Sequence, residues 1–599
     1  MNIIYLQSLS LLIVSWLIII CVFIGYGIAI QHLICSENNN PERIFLSFWI
    51  GGAVIIVLLQ IVHFFFPISL VVSLVLGIVG LILFFINRNR ILKSLNFIYV
   101  KNPVFTIWII LSFLFVGNQA MDPIGPFDAG LYQLQTIKWF SSFPIVPGLG
   151  NLHGRFAFNS SIYLFQSMLN VSLWSSKTHH LAHGILLIIF LARIGLSLSK
   201  ILLNKLKFHV SDLFLLLLIP GMIKLTFREA SSTSTGLALW LIGLIVGIEL
   251  CEILYNNLKS SDKVFDGAFA IVILSCLGVT IKLSFIGFAL ISSCVAVFIW
   301  FRASLNTSRN GWIKMRLVYF SFPPILIFLP WFLRSIILSG YLAYPNTTIA
   351  FDKEWRVPIE TARGELMWTK SWSRQPNVSP EIVLADKSWF KPWIKEKMRR
   401  RFDIVLPLLM FFSGSFVSLL PIRGRPPPAV KRFCLFLMPP FGLITFVFIL
   451  APDPRYVNSA FWYLACGSLS IALFRLFNNK LRNAVFISIM FSISFSLYVI
   501  YREINLDELY FRDVRKKEIL SLCQVPIIYQ SIPQSNELPY DKIPYDKFLT
   551  DSGLILNVPN RNSLCWDADL PCTPFADSRL KLREPGSLGN GFMIVSDKD

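Results

Sequence analysis

Residues 121–132 read MDPIGPFDAGLY and follow directly on an apolar run. Asp122 and Asp128 therefore fall at a membrane-water boundary, where a lipid headgroup can reach a carboxylate. Tyr132 and Gln135 follow Asp128 at helical spacing, and the next segment, PIVPGLGNLHGRFAFNSS, carries His153 and Arg155. Aspartate is also a favoured N-cap, so both acids can equally be read as caps of a helix lying along the interface.

A second set of residues is cationic. Lys224 and Arg228, with Glu229, end one apolar run; Lys282 lies in a tight hairpin; Arg334 ends another run; Arg455 stands between Asp453 and Tyr456 in the turn PDPRY. Short loops on the outer face of a membrane normally lack positive charge. Cations retained there suit a phosphate, because ammonium and guanidinium groups give charge-assisted hydrogen bonds to phosphoryl oxygens. Taken singly, each can also be read as snorkelling to the interface or pairing with Glu229 or Asp453. His179 and His183 have the i, i+4 spacing that zinc sites use, with His180 between them, but no third ligand is near and interfacial packing accounts for them. Gly148, Gly150 and Gly154 form no phosphate loop. No Walker motif, HExxH or nucleophile elbow occurs, which leaves ATP-driven transport without support.

The elements that must position these residues are membrane spans. The 599-residue chain is 55% hydrophobic and 15% charged, against roughly a quarter charged in a soluble domain. Its mean hydropathy is +0.63. A formal charge of +20 would suit nucleic acid, yet Lys and Arg occur in short clusters between apolar runs, which is how topology is written. No nucleic-acid partner is expected. About fourteen stretches are long and apolar enough to cross the hydrocarbon as helices, and the first reads as a retained span rather than a signal peptide. Basic clusters within 88–101, 200–207, 259–263, 302–316, 423–432 and 475–482 fall in alternate loops and are assigned to the cytoplasm.

The expected fold is therefore an all-α polytopic membrane protein. Residues 1–102 form N-terminal spans. Residues 103–500 form a core with two long outer loops, 120–180 and 340–402, the first holding interfacial helices. Residues 501–599 form a small soluble α+β domain outside the cytoplasm. In that compartment Cys565 and Cys572, within CWDADLPC, can close a short disulfide loop. Seven of the ten cysteines lie in the membrane part, as small buried hydrophobes.

FDAGLY at a span end, a long outer loop, further spans, LPWFLRSIILSGYLAYP and a late RY turn together resemble the GT-C superfamily of membrane glycosyltransferases, over roughly residues 100–475. Protein O-mannosyltransferases, lipid A aminoarabinose transferases and oligosaccharyltransferases belong to that superfamily. Residues 144–161 and the tail CWDADLPCTPF are more similar to an uncharacterised bacterial membrane family placed near it. The resemblance implies that an acid of the first outer loop is the catalytic base or orients the acceptor, Asp128 by position and Asp122 as substitute. It implies that Lys224, Arg228, Lys282 and Arg455 hold the phosphate of a polyprenyl-phosphate sugar donor, and it puts Arg334, Tyr344 and Pro345 near the site. Tyr132, His153, Arg155, Tyr344 and Tyr456 are then the loop residues beside the substrate. Many relatives carry a second acid in an SPSPD-like stretch, whereas residues 231–235 here read SSTST. A metal-binding carboxylate is thus missing unless Glu229 serves, and no cofactor is expected.

These readings converge on inverting transfer of a sugar to an extracytoplasmic glycan, lipid or protein acceptor, at a bacterial inner (plasma) membrane. A lipid-linked glycan polymerase or ligase would use the same arginines with less need of Asp128. A transporter or flippase would need charges in mid-span, which are scarce. A structural subunit would use the tail and the second loop, with Trp355, Trp368, Trp372, Trp389 and Trp393.

Overall fold

Inside lipid an apolar run can satisfy its backbone only by coiling into a helix, and the uncharged Leu, Ile, Val and Phe runs of this chain do so. The computed structural model describes residues 3–34, 42–99, 102–122, 124, 127–203, 209–256, 260–305, 310–421, 429–457, 459–477, 481–505, 543–560 and 563–595. Lys101, Pro123, Gly125, Pro126, Lys205, Lys207, Lys259, Arg309, Arg423, Arg425, Lys480 and Cys523 lie outside them.

Helices α1 (Ile3–Ile34), α2 (Arg43–Val62), α3 (Leu70–Ile86), α4 (Arg88–Tyr99) and α5 (Pro103–Ala120) lead to the first long loop, which holds α6 (Leu134–Ser142) and α7 (Ile162–Leu169). Then come α8 (His179–Leu203), α9 (Val210–Leu217), α10 (Ile219–Glu229), α11 (Gly236–Tyr255), α12 (Ser261–Ile281), α13 (Ile286–Leu305) and α14 (Asn310–Ser339). The second long loop opens with an antiparallel pair, β1 (Tyr341–Ala343) and β2 (Asn346–Ala350), and carries α15 (Ile359–Arg374), α16 (Pro380–Ala385) and α17 (Phe390–Lys397). Helices α18 (Leu406–Leu419), α19 (Val430–Leu450), α20 (Pro454–Val457), α21 (Ala460–Leu476) and α22 (Leu481–Asn505) complete the bundle.

Among the described residues eleven helices are long and apolar enough to cross a membrane, or twelve if α9 and α10, bent by 44°, are one span. That is the make-up of a multi-pass integral membrane protein. The fourteen stretches expected from the sequence comprise these eleven, the bent pair and the two shorter apolar helices α3 and α21, each of 17 residues.

Prolines within the bundle free carbonyls that neighbouring helices then satisfy. Pro220 cannot donate to Leu216, whose carbonyl accepts from the Ser492 hydroxyl of α22 at 2.6 Å. Pro440 likewise leaves Phe436 without its helical donor, and the Tyr463 hydroxyl donates to that carbonyl at 3.0 Å.

In the first long loop α7 is wholly buried against α2, α6 and α8, and most of α6 is buried with it. The C-terminal tail covers α6. The described part of the tail, in turn, holds no α-helix: it pairs β3 (Tyr545–Leu549) with β4 (Ile555–Pro559) and β5 (Leu580–Leu582) with β6 (Phe592–Ile594), both antiparallel. Cys565 and Cys572 form a disulfide between them. The tail docks through Trp566 N–H donating to Gly130 O at 2.8 Å and Phe592 N–H donating to Pro147 O at 3.0 Å. Gln135 Nε2 donates to Ala568 O at 2.8 Å, and Lys138 Nζ donates to Asp567 O at 3.0 Å. A Cβ on Gly130 would stand 2.6 Å from the Trp566 indole, so only glycine permits this approach.

Candidate functional site

Residues Ala129–Gln133 close as a π-helical turn with Asp128 at its N-cap, yet the Asp128 side chain caps no backbone N–H. It is met instead by Arg155, whose Nη1 donates to Asp128 Oδ1 at 3.1 Å. The same guanidinium lies 5.7 Å from the Tyr132 ring centroid, and its Nε stands 3.9 Å from Glu365 Oε2 on α15. Arg155 thus stands between two carboxylates, one from each long loop. Burial pushes the Glu365 carboxyl up from its ordinary value, with Arg155 opposing the rise.

Two turns at the ends of spans bring cations to the same place. Lys282 ends α12, and the first loop is stitched to this hairpin: Ser160 Oγ donates to Ile281 O at 2.8 Å and Ser161 N–H to Thr280 O at 3.0 Å. Lys282 Nζ lies 4.3 Å from the Tyr456 ring centroid. Burial and the neighbouring Arg455 pull its ammonium down to about 8, while Asp128 and Asp453 pull the other way. Arg455 Nη2 donates to Asp453 Oδ2 at 3.1 Å, and Asp453 Oδ1 accepts from the Arg455 N–H at 2.9 Å. The Asp128 and Arg455 side chains remain 46% and 54% exposed, so both can meet a ligand.

Around this cluster the remaining loop residues are buried. Burial, then Asp128, pushes the Tyr132 phenol up to about 12, and its ring meets Phe158 and Tyr163 edge-on at 6.0 and 6.4 Å. His153 Nδ1 accepts from the Arg155 N–H at 3.1 Å, its Nε2 has no partner among the described residues, and burial holds the ring neutral by lowering it to about 3. The Tyr344 hydroxyl is buried and has no partner among the described residues. It and Glu365 Oε1 lie 2.9 and 3.2 Å from where a Gly154 Cβ would stand.

Of the five cations expected to hold a phosphate, the structure brings Lys282 and Arg455 to Asp128. Lys224 pairs with Asp403 and lies 5.0 Å from the Phe402 ring. Arg228 pairs at 3.2 Å with Glu503, which is buried. Arg334 is fully buried: its Nε donates to Asn159 Oδ1 at 3.2 Å, its Nη1 contacts His63 Nδ1 at 2.6 Å, and it covers the Phe140 ring. The second acidic candidate, Asp122, accepts the Ser231 hydroxyl at its backbone carbonyl, and Glu229 accepts from Ser234 Oγ at 2.7 Å. His180 and His183 donate from Nδ1 to Ala120 O and Glu229 O, at 2.6 and 2.8 Å, and so tie helix ends together. Among the described residues no group of three His, Cys, Asp or Glu could hold a metal ion.

Sequence reasoning missed Glu365, because nothing local distinguishes it from Glu360 on the same helix; only the fold brings α15 to Arg155. It also missed an apolar cavity of about 630 Å³ between α12, α13 and α14, lined among others by Val279, Ile286, Leu290, Val297 and Phe328. Val279 and Ile286, which line it, lie three residues before and four after Lys282 in the sequence.

The chain belongs to a family described as a domain of unknown function (DUF8201), which matches residues 9–462. The match takes in both long loops and every residue of the Asp128 cluster and ends before the tail. No curated protein and no solved structure matches the chain.

Proposed function

We propose that this DUF8201 member is a GT-C-type membrane glycosyltransferase. It moves a sugar from a polyprenyl-phosphate donor to a glycan, lipid or protein acceptor outside the cytoplasm, in a bacterial inner membrane. The observation that carries the reading is a half-exposed carboxylate, Asp128, in electrostatic reach of Lys282 and Arg455, with an apolar cavity lined by both helices that flank Lys282. The basic clusters of alternate loops and the disulfide of the tail favour placing that face outside.

The chemistry follows from these positions. An acceptor hydroxyl attacks the anomeric carbon while Asp128 takes its proton, a step generally worth about a hundred- to ten-thousand-fold in rate. The bond from that carbon to the phosphate oxygen breaks, and its electron pair leaves on the phosphate. Lys282 and Arg455 meet the charge that appears there, and Arg155 holds Asp128 in register. Glu365 and the Tyr344 hydroxyl face the acceptor side from the second loop. The isoprenoid chain occupies the apolar cavity between α12, α13 and α14, so the donor enters sideways from the bilayer.

Thermal melting of the purified chain with polyprenyl phosphate, and with the uncharged polyprenol, tests this reading. The phosphate is expected to raise Tm well above the polyprenol, and Lys282→Gln with Arg455→Gln to remove the difference. Equal shifts from both lipids, or an undiminished difference in the double variant, would overturn it.

A further inference from the structure

Two stripes run along α17 and its flanking turns. Phe390, Ile394 and Met398 recur every fourth residue and are exposed. Lys387, Lys391, Lys395 and Arg399 recur at the same interval on the adjoining strip and are also exposed. From 387 to 401 there are seven cations and one acid, Glu396, and Lys397 engages that acid at 3.0 Å. None of the four stripe cations has an ion-pair partner among the described residues.

The helix lies at the mouth of two spans. Trp393 Nε1 donates to Pro452 O at 2.6 Å, and the Phe390 and Trp393 rings stand 6.4 and 5.8 Å from Phe448 in the last turn of α19. Arg374 donates to Ile449 O and Leu450 O, the carbonyls that end α19, and covers the Trp389 ring at 5.0 Å. Residue 401 already begins the span that continues into α18. Like charges at i, i+4 repel and destabilise a helix, and a loop this long needs no basic cluster to set its topology. A strip of unpaired cations beside an exposed apolar strip, at the depth where spans leave lipid, is the composition of a helix lying in the bilayer surface.

We propose that α17 docks on anionic phospholipid headgroups of the leaflet in which α18 begins and α19 ends. Phe390, Ile394 and Met398 enter the acyl boundary, and Lys387, Lys391, Lys395 and Arg399 meet headgroup phosphates. The inference does not depend on the glycosyltransferase reading. It also gives α15, tied to the same span end through Arg374, a fixed base from which Glu365 reaches Arg155.

Hydrogen-deuterium exchange over residues 386–400 tests it, using the full chain in phosphatidylcholine vesicles with and without phosphatidylglycerol. Exchange is expected to slow at least about fivefold in the anionic vesicles, the equivalent of a single cation's attraction to such a surface. High salt should remove the effect in the wild type. Replacing all four stripe cations by Gln should remove it while leaving exchange in phosphatidylcholine unchanged. Equal exchange in both vesicles, a salt-independent difference, or a difference that survives in the quadruple variant would overturn the proposal. The wild-type salt series decides the matter even if the variant does not fold.

Discussion

The bundle carries charge at both ends, and the two clusters are built differently. About 20 Å along α8 from its first residue, His179, Arg193 meets Glu42 at 3.2 Å, Asp212 at 3.8 Å and Glu252 at 3.9 Å. Lys200 meets Asp212 at 2.9 Å and also Glu42, and Ser197 donates to Asp212 at 2.7 Å. Arg43 holds Asp266 at 2.8 Å beside them. Arg193, Lys200 and Asp212 are buried. At the Asp128 end, by contrast, Lys282 has an aromatic face instead of a carboxylate hydrogen bond, and Asp128 and Arg455 stay half exposed. Burying a charge in a membrane protein is costly, and a carboxylate partner is the usual compensation. The first cluster is closed on itself and reads as structure, whereas the second is open to something that arrives.

Removing a partner from the closed cluster should have the largest effect on stability. Arg193→Ala takes the guanidinium from Glu42, Asp212 and Glu252, and Asp212→Ala takes a carboxylate from Arg193 and Lys200, at a cost of about 3–5 kcal/mol, seen as a large fall in Tm or in folded yield. An equal fall for Asp128→Ala would erase the distinction between the two ends. Next comes the tail: Cys565→Ala with Cys572→Ala opens a short loop worth about 2 kcal/mol. Faster proteolysis of the tail is expected, with the spans intact, and Gly130→Ala should act in the same direction by displacing Trp566.

Smaller effects belong to the open cluster. Lys282→Gln should leave Tm unchanged or raise it, since it removes a half-buried ammonium that has no carboxylate hydrogen bond among the described residues. The pH dependence has a defined sign. Lys282 is held down to about 8, so its charge disappears as pH rises through that value. Affinity for polyprenyl phosphate should fall across that window, and the fall should be absent in Lys282→Gln. Over the same window the unfolded chain keeps a proton that the folded chain has released, so stability without ligand rises with pH.

Spans were legible in the sequence because a long apolar run has one solution in lipid. Their ends were less so: Pro220 breaks α9 from α10, and α3 and α21 are only 17 residues long. The cation list was legible but not its sorting, since Lys224 finds Asp403 179 positions away and Arg228 finds Glu503 275 positions away. Arg455 pairs with Asp453 two residues off, which is why that contact could be anticipated. Asp128 could be read locally as a cap, and its actual partner, Arg155, lies 27 residues on. The tail's seat on α6 was invisible because Gln135 and Lys138 are more than 400 residues from the carbonyls they hold.

The most direct measurement compares lipid-linked sugars and surface glycans in cells carrying the wild type, Asp128→Asn and a deletion. The expected result is that Asp128→Asn inserts normally yet matches the deletion, with the sugar-charged polyprenyl phosphate accumulating and one glycan lost. A variant indistinguishable from the wild type would contradict a proton-accepting role for Asp128 and, with it, the glycosyltransferase reading.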